Sequence, residues 1–259
     1  MALSLSSISI DTAIRAPRIL LYGTEKIGKT TFAAGAPKPV FLSIKGEQGT
    51  DGLGVAKFPT IESFEMAMEA IETLYTSDHD YQTVVIDSVS TLEPAIWQHV
   101  CKIDGKETIE RVLGGFSKGY IEALKYWRAI SDGLDALRDK RNMISILIGH
   151  VTVKPFNDPL TDPYDTYIST LHNKAASALQ QWADVILFAN SKVSRQDKDI
   201  GSGRATMTAE RKLFTQKRPA HPGGGRHIYG RLPYEIDLSW SAFENAIAAA
   251  SQPTTIKAA

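Results

Sequence analysis

The sequence predicts an α/β fold with a mostly parallel sheet flanked by helices, and three observations carry that reading. The first is Gly23-Thr24-Glu25-Lys26-Ile27-Gly28-Lys29-Thr30-Thr31, which fits the phosphate-binding pattern G-x-x-x-x-G-K-[ST]. The second is its setting. Arg18-Ile19-Leu20-Leu21-Tyr22 reads as a short buried strand, and 30–34 as the first turns of a helix, so the motif lies between a strand and a helix N-terminus. The third is the alternation of apolar strand-like runs with helix-spaced segments along the rest of the chain, as in a parallel sheet covered on both faces.

Taken in order, 1–16 is rich in Ser and small apolar residues and reads as an N-terminal extension, 17–250 as the core domain, and 251–259 as a disordered tail. After the phosphate loop, 39–44 is a second strand running into the Gly-punctuated loop 45–49. Ile61, Phe64, Met68, Ile71 and Leu74 recur at helical spacing. The run 83–87 is apolar up to Asp87, as a buried parallel strand is. A helix over 92–102 and a loop carrying Gly105, Gly114, Gly115 and Gly119 follow. A long helix over 118–139 has Tyr120, Leu124, Trp127, Ile130, Leu134 and Leu137 as its inner stripe.

The fourth strand is 144–149. The next stretch, 151–171, lacks periodicity and reads as a long functional loop. A helix over 175–182 and a fifth strand over 184–189 complete the alternation. Then the pattern changes. Residues 205–208 and 213–215 read as a hairpin, 222–225 as a flexible loop, 234–236 as a last short strand, and Ser239 as the cap of a helix reaching 250.

Right-handed crossovers place the strand ends on one edge, where ligands bind in such sheets. Glu47, Asp87 and His150 each follow a predicted strand, so the fold brings them to the edge that carries Lys29. Lys29 reaches the β- and γ-phosphates of a nucleotide, and the Thr30 hydroxyl and Asp87 hold Mg²⁺. The residue after Asp87 is Ser88, not Glu, so a base for hydrolysis must come from elsewhere. Glu47 is the candidate, to orient and deprotonate a water, and His150 is a candidate γ-phosphate sensor. Each also has a plainer reading: a turn or cap for Asp87, a solvated loop carboxylate for Glu47, satisfied polar structure for His150.

Composition narrows the partners. At 259 residues the chain is one large domain or one domain with appendages, with 43% hydrophobic and 22% charged residues. Lys+Arg and Asp+Glu are both 29, so this is no polycation, and any nucleic-acid contact must come from a local patch. One cysteine, Cys101, excludes an internal disulfide and fits a reducing compartment. No apolar run reaches the ~20 residues of a membrane span, and 1–15 lacks a signal-peptide pattern, so the expectation is a cytoplasmic protein without a membrane partner.

With these residues in place the chain resembles the core domain of RecA-type recombinases. Gly23 to Thr31 keeps that family's Gly, Glu and Gly-Lys-Thr-Thr frame, Glu47 falls where its catalytic glutamate lies, and Val85-Ile86-Asp87-Ser88-Val89 is similar to its Asp-Ser strand end. Ile148-Gly149-His150 stands in place of its Asn-Gln sensor. The resemblance covers about 17–238 and implies a P-loop NTPase with a RecA-like core and a C-terminal β-hairpin. A closer resemblance is to phage-encoded ATP-binding proteins on this bare core, known or proposed as single-strand annealing recombinases. It rests on Gly115-Phe116-Ser117-Lys118-Gly119-Tyr120 and Tyr229-Gly230-Arg231-Leu232-Pro233-Tyr234-Glu235-Ile236. Where that group has Arg-Tyr-Gly-Leu-Pro, this chain has Gly-Arg-Leu-Pro and an inserted Pro-Gly-rich loop.

The resemblance implies ATP and Mg²⁺ as cofactors, DNA-stimulated hydrolysis, self-assembly into a ring or filament, single-stranded DNA and a single-strand-binding protein as partners, and the host cytoplasm if the chain is phage-encoded. It further implies that Lys217 and Arg218 complete a neighbouring subunit's ATP site, and that 114–120 and 151–174 bind the strand. Phe116, Lys118, Lys154, Phe156 and Lys174 are the candidate DNA contacts, cations for phosphates and aromatics for bases. Asp158, Asp162 and Asp165 make the second segment far from basic, which points to ATP-dependent, salt-sensitive binding. Two other readings stand beside this one. One is a nucleotide-dependent loading or interaction factor without DNA activity. The other is a small-molecule phosphotransferase, against which counts the lack of an Arg-rich lid over 50–80.

Overall fold

The computed structural model describes residue 8 and residues 15–195 and 205–252. Most of the 1–16 extension and the tail from 253 onward lie outside the described residues. Helix α6 (Trp240–Ser251) runs one residue into the predicted tail.

Period-two burial builds the sheet. In β1 (Arg18–Gly23), Leu20 and Tyr22 face one core and Ile19 and Leu21 the other, as side chains alternate along a strand. Strand β1 runs parallel between β5 (Ile144–Phe156) and β7 (Val185–Arg195). Beyond β5 come β4 (Thr83–Asp87), β2 (Pro39–Ser43) and the two-residue edge β3 (Ala56–Lys57), all parallel. Beyond β7 come the antiparallel β8 (Ala205–Phe214) and β10 (Glu235–Asp237). The order is therefore β10-β8-β7-β1-β5-β4-β2-β3. One strand, β5, separates the phosphate-loop strand from the strand that ends at Asp87.

Helices cover both faces. Helices α1 (Lys29–Ala34) and α6 lie on one face, where the Phe32 ring meets Trp240 and Phe243 at 5.5 and 5.9 Å between centroids. On the other face lie α2 (Phe64–Thr76), α3 (Val89–Asp104), α4 (Lys118–Arg141) and α5 (Asn173–Trp182). Polar starts set their registers: the Ser63 side chain accepts from Met66 N and the Ser88 side chain from Thr91 N. On α4 the buried stripe is Gly119, Ala123, Trp127, Ile130, Leu134 and Leu137; Tyr120 and Leu124, expected in it, are only half-buried. Buried Asp184 clamps the roots of β1 and β7 through Arg18 Nη2 at 2.8 Å and Arg138 Nη2 at 3.2 Å.

Four expectations are corrected. The stretch 151–171 is not a loop: β5 runs on to Phe156 and turns back as β6 (Tyr164–Ser169), pairing Val151 with Ser169 and Phe156 with Tyr164. The expected hairpin within 205–215 is the single strand β8, and the antiparallel pair there is β7 with β8. Within the expected loop 222–225, Gly224–Gly225 forms β9 against Val185 and Ile186. Between α3 and α4, Ile109–Gly114 forms 3-10 turns broken by a kink at Val112 and Leu113. In each case hydrogen bonds to a distant strand or a local turn satisfy a backbone whose side chains carry no clear period.

Candidate active site

The phosphate loop follows β1 as expected, with Gly28 at φ 113°, a left-handed conformation that suits a residue without a Cβ. Thr24 and Gly28 are half-buried, Ile27 is buried, and Glu25, Lys26 and Thr31 are exposed around the loop. Lys29 is 5% exposed, and its ammonium donates to the carbonyls of Gly23 at 2.9 Å and Thr24 at 2.8 Å. Burial pulls its pKa down, against the pull of Asp87, Glu47 and Glu25. A buried cation held chiefly by loop carbonyls is poised for an anion.

Thr30 donates to Asp87 Oδ2 at 2.8 Å. Asp87, 3% exposed at the end of β4, has its pKa raised by burial, with the Thr30 hydrogen bond opposing. A hydroxyl and a desolvated carboxylate in contact fit a divalent cation, which would favour the charged form of Asp87 against its burial. Gly49 supports that fit, because a Cβ there would stand 2.5 Å from Thr30 Oγ1. Among the described residues no cluster of three or more His, Cys, Asp or Glu forms a separate metal site.

Glu47 and His150, 103 residues apart, meet. His150 Nε2 lies 2.9 Å from Glu47 Oε1, and Ser88 Oγ donates to the same oxygen at 2.7 Å. Lys29 Nζ lies 3.4 Å from His150 Nδ1, so one tautomer serves the network: Nδ1 accepts from Lys29 and Nε2–H donates to Glu47. The hydrogen bond from His150 is the main reason the Glu47 carboxyl sits below its usual range. Ser88 and Lys29 add to it, and burial opposes. Both donors go to Oε1, so Oε2 is left to receive a water.

Ser88 thus has two roles that sequence reasoning missed: it caps α3 and orients Glu47. Ser90 was missed too. It accepts from His150 N at 2.9 Å and from Thr170 Oγ1 at 2.9 Å, and Thr170 N donates to His150 O at 3.1 Å. Its only signal in the sequence was a hydroxyl just after a strand. His150 is therefore tied by its side chain to the phosphate loop and by its backbone to the root of the β5–β6 hairpin.

That hairpin lines a cavity of about 790 Å³. Lys154, Phe156 and Tyr164 line one side, and Lys217, Arg218 and His221 another. The second wall is fixed by stacking: His221 lies 4.8 Å from Phe188 at 10° between planes, and Arg218 lies 4.5 Å over Tyr234. Of the predicted DNA contacts, the structure brings Lys154 and Phe156 to this cavity. Phe116, 93% exposed, and the exposed Lys118 and Lys174 are not among its lining residues. Lys217 and Arg218, expected at a neighbour's nucleotide, line this cavity in their own chain.

The topology, with a phosphate loop after β1 and acidic residues at the ends of parallel neighbours, is that of an α/β P-loop NTPase. No curated protein matches the chain. The solved structure of the RadB recombinase is similar at 16% identity and a TM-score of 0.45, over 81% of this chain and 85% of that one. A family model described as an AAA domain matches residues 15–227. The chain belongs to the AAA domain family of P-loop ATPases.

Proposed function

We propose that the chain is an ATP- and Mg²⁺-dependent protein that binds single-stranded DNA and pairs or anneals strands. The observation that carries this is the continuity of β5. Its first half ends at His150 beside Lys29 and Glu47, and its second half lines a cavity walled by cations and aromatics. Lys154, Lys217 and Arg218 supply charge for phosphates, and Phe156 and Tyr164 supply faces on which bases stack. A cavity of this size takes a short stretch of strand, so occupancy of a long strand requires copies side by side. That fits self-assembly.

At the nucleotide end, Lys29 and the loop amides hold the phosphates, and Thr30 with Asp87 holds the metal ion. The ion, when bound, neutralises phosphate charge. Glu47 Oε2 positions a water and takes its proton, while Ser88 and His150 fix the carboxylate through Oε1. His150 also touches Lys29, so a change at the γ-phosphate is felt at the hairpin root through Ser90 and Thr170.

A second reading, a loading or interaction factor, is favoured by two exposed apolar side chains, Phe116 at 93% and Leu160 at 92%, the latter beyond the end of β5. Steady-state ATP hydrolysis with and without oligo(dT) separates the two. DNA-binding predicts stimulation by the oligonucleotide in the wild type and no hydrolysis in Lys29→Ala. Hydrolysis that ignores DNA at every salt concentration favours the interaction factor.

A further inference from the structure

Arg211 has no role in the site described so far. It lies on β8 opposite Ser191 of β7, two residues beyond Ala189, which is the register partner of Gly23. That register carries β8 past the edge of the sheet where the phosphate loop begins. Arg211 Nη1 is 3.5 Å from the point a Cβ on Gly28 would occupy. The guanidinium makes no hydrogen bond or ion pair among the described residues. The carboxylates of the neighbouring residues, Glu210, Glu235 and Asp237, are engaged by Lys212 at 3.5, 3.9 and 2.8 Å, on the face of the strand opposite to Arg211.

A free guanidinium over an anion-binding loop has a specific use, because its planar fork matches phosphate oxygens. The side from which it comes matters. Glu47 and His150 stand on the β2 and β5 side of β1, whereas Arg211 stands on the β7 and β8 side. We propose that Arg211 is a nucleotide-binding residue supplied in cis, which grips the diphosphate portion of the nucleotide at Gly28. The proposal rests on the reading of the phosphate loop as a nucleotide site. It assigns to this chain a second phosphate cation besides Lys29, one that acts on affinity and not on the transfer step.

The test is titration of N-methylanthraniloyl-ADP and of the corresponding ATP analogue. Arg211→Ala should weaken both by about tenfold to a hundredfold, the loss expected for a charge-assisted hydrogen bond, with kcat at saturating ATP nearly unchanged. Arg211→Lys should recover part of the affinity, because charge without the fork is only half of the contact. Arg211→Gln, which keeps length without charge, should behave as Arg211→Ala and guards against a folding defect. Lys125→Ala, an exposed cation on α4, should change neither affinity. The inference is overturned if Arg211→Ala binds both nucleotides as tightly as the wild type, or if it loses only turnover or only the triphosphate. If the wild type itself binds neither nucleotide, the reading of the loop falls first, and that result is distinct from the others.

Discussion

Glu47→Gln should slow ATP hydrolysis by about 10²- to 10³-fold while leaving nucleotide affinity within about threefold. The amide keeps an oxygen that can accept from Ser88 and His150, which reach the carboxylate at 2.7 and 2.9 Å, so the local network survives and only basicity is removed. General-base catalysis contributes roughly 10²–10⁴. The hydrogen bond from His150 holds Glu47 below the usual carboxylate range, and a weaker base contributes less, which sets the expectation in the lower half. At about 1.36 kcal/mol per decade this is about 2.7–4 kcal/mol of barrier. Because the Glu47 pKa is lowered from 4.5, the base is ionised throughout neutral pH, and turnover should fall on this account only as pH drops into the acid range. The assay is single-turnover hydrolysis with a parallel nucleotide titration. Turnover within about threefold of wild type, in a variant of unchanged affinity, would refute the assignment of Glu47 as base.

Three further outcomes follow from the same geometry. Lys217→Glu with Arg218→Glu should remove strand binding and leave DNA-free hydrolysis intact; loss of DNA-free hydrolysis, rescued by mixing with Lys29→Ala, would instead show the role in a neighbour's site. Lys154→Ala should weaken strand binding and flatten its salt dependence, whereas Lys118→Ala, outside the cavity, should do so less, as fluorescence anisotropy across a salt series will show. Buried Glu93, whose Oε2 accepts from His172 N, has its pKa raised to about 7 by burial. The folded state then holds a proton that the unfolded chain loses near 4.5, so stability falls as pH rises from about 4.5 to about 7 and stays lower above it. Glu93→Gln should therefore raise stability by about 2–3 kcal/mol at pH 8 and change little at pH 4, in urea melts at the two values.

The nucleotide end was legible in the sequence because its parts are local. A glycine-lysine loop, an apolar strand ending in Asp87, and a carboxylate and a histidine just past two other strands need only parallel topology to meet. The hairpin β6 was not legible. Tyr164 to Ser169 mixes Asp, Thr and Ser with two Tyr and one Ile, and none of the six is buried, so no apolar run marks it. Strand β8 was split in the reading by Glu210-Arg211-Lys212, three charges that look like a turn. In the fold, Lys212 meets Asp237 and Glu235 across the neighbouring strand, which makes a charged run tolerable there. With one continuous strand, Arg211 falls beside the phosphate loop, and Lys217 and Arg218 fall at the cavity. Strand β9 is two glycines held by backbone pairing to β7, and no side-chain pattern announces it.

The most direct measurement is the anisotropy of a labelled oligo(dT) titrated with the wild-type protein at fixed salt, without nucleotide, with ADP, and with a non-hydrolysable ATP analogue and Mg²⁺. On the proposal that His150 reads the γ-phosphate at the root of the hairpin, binding should tighten at least about tenfold with the triphosphate analogue, a coupling of about 1.4 kcal/mol. It should weaken steeply as salt rises. Binding that is equal or absent in all three nucleotide states would contradict the account.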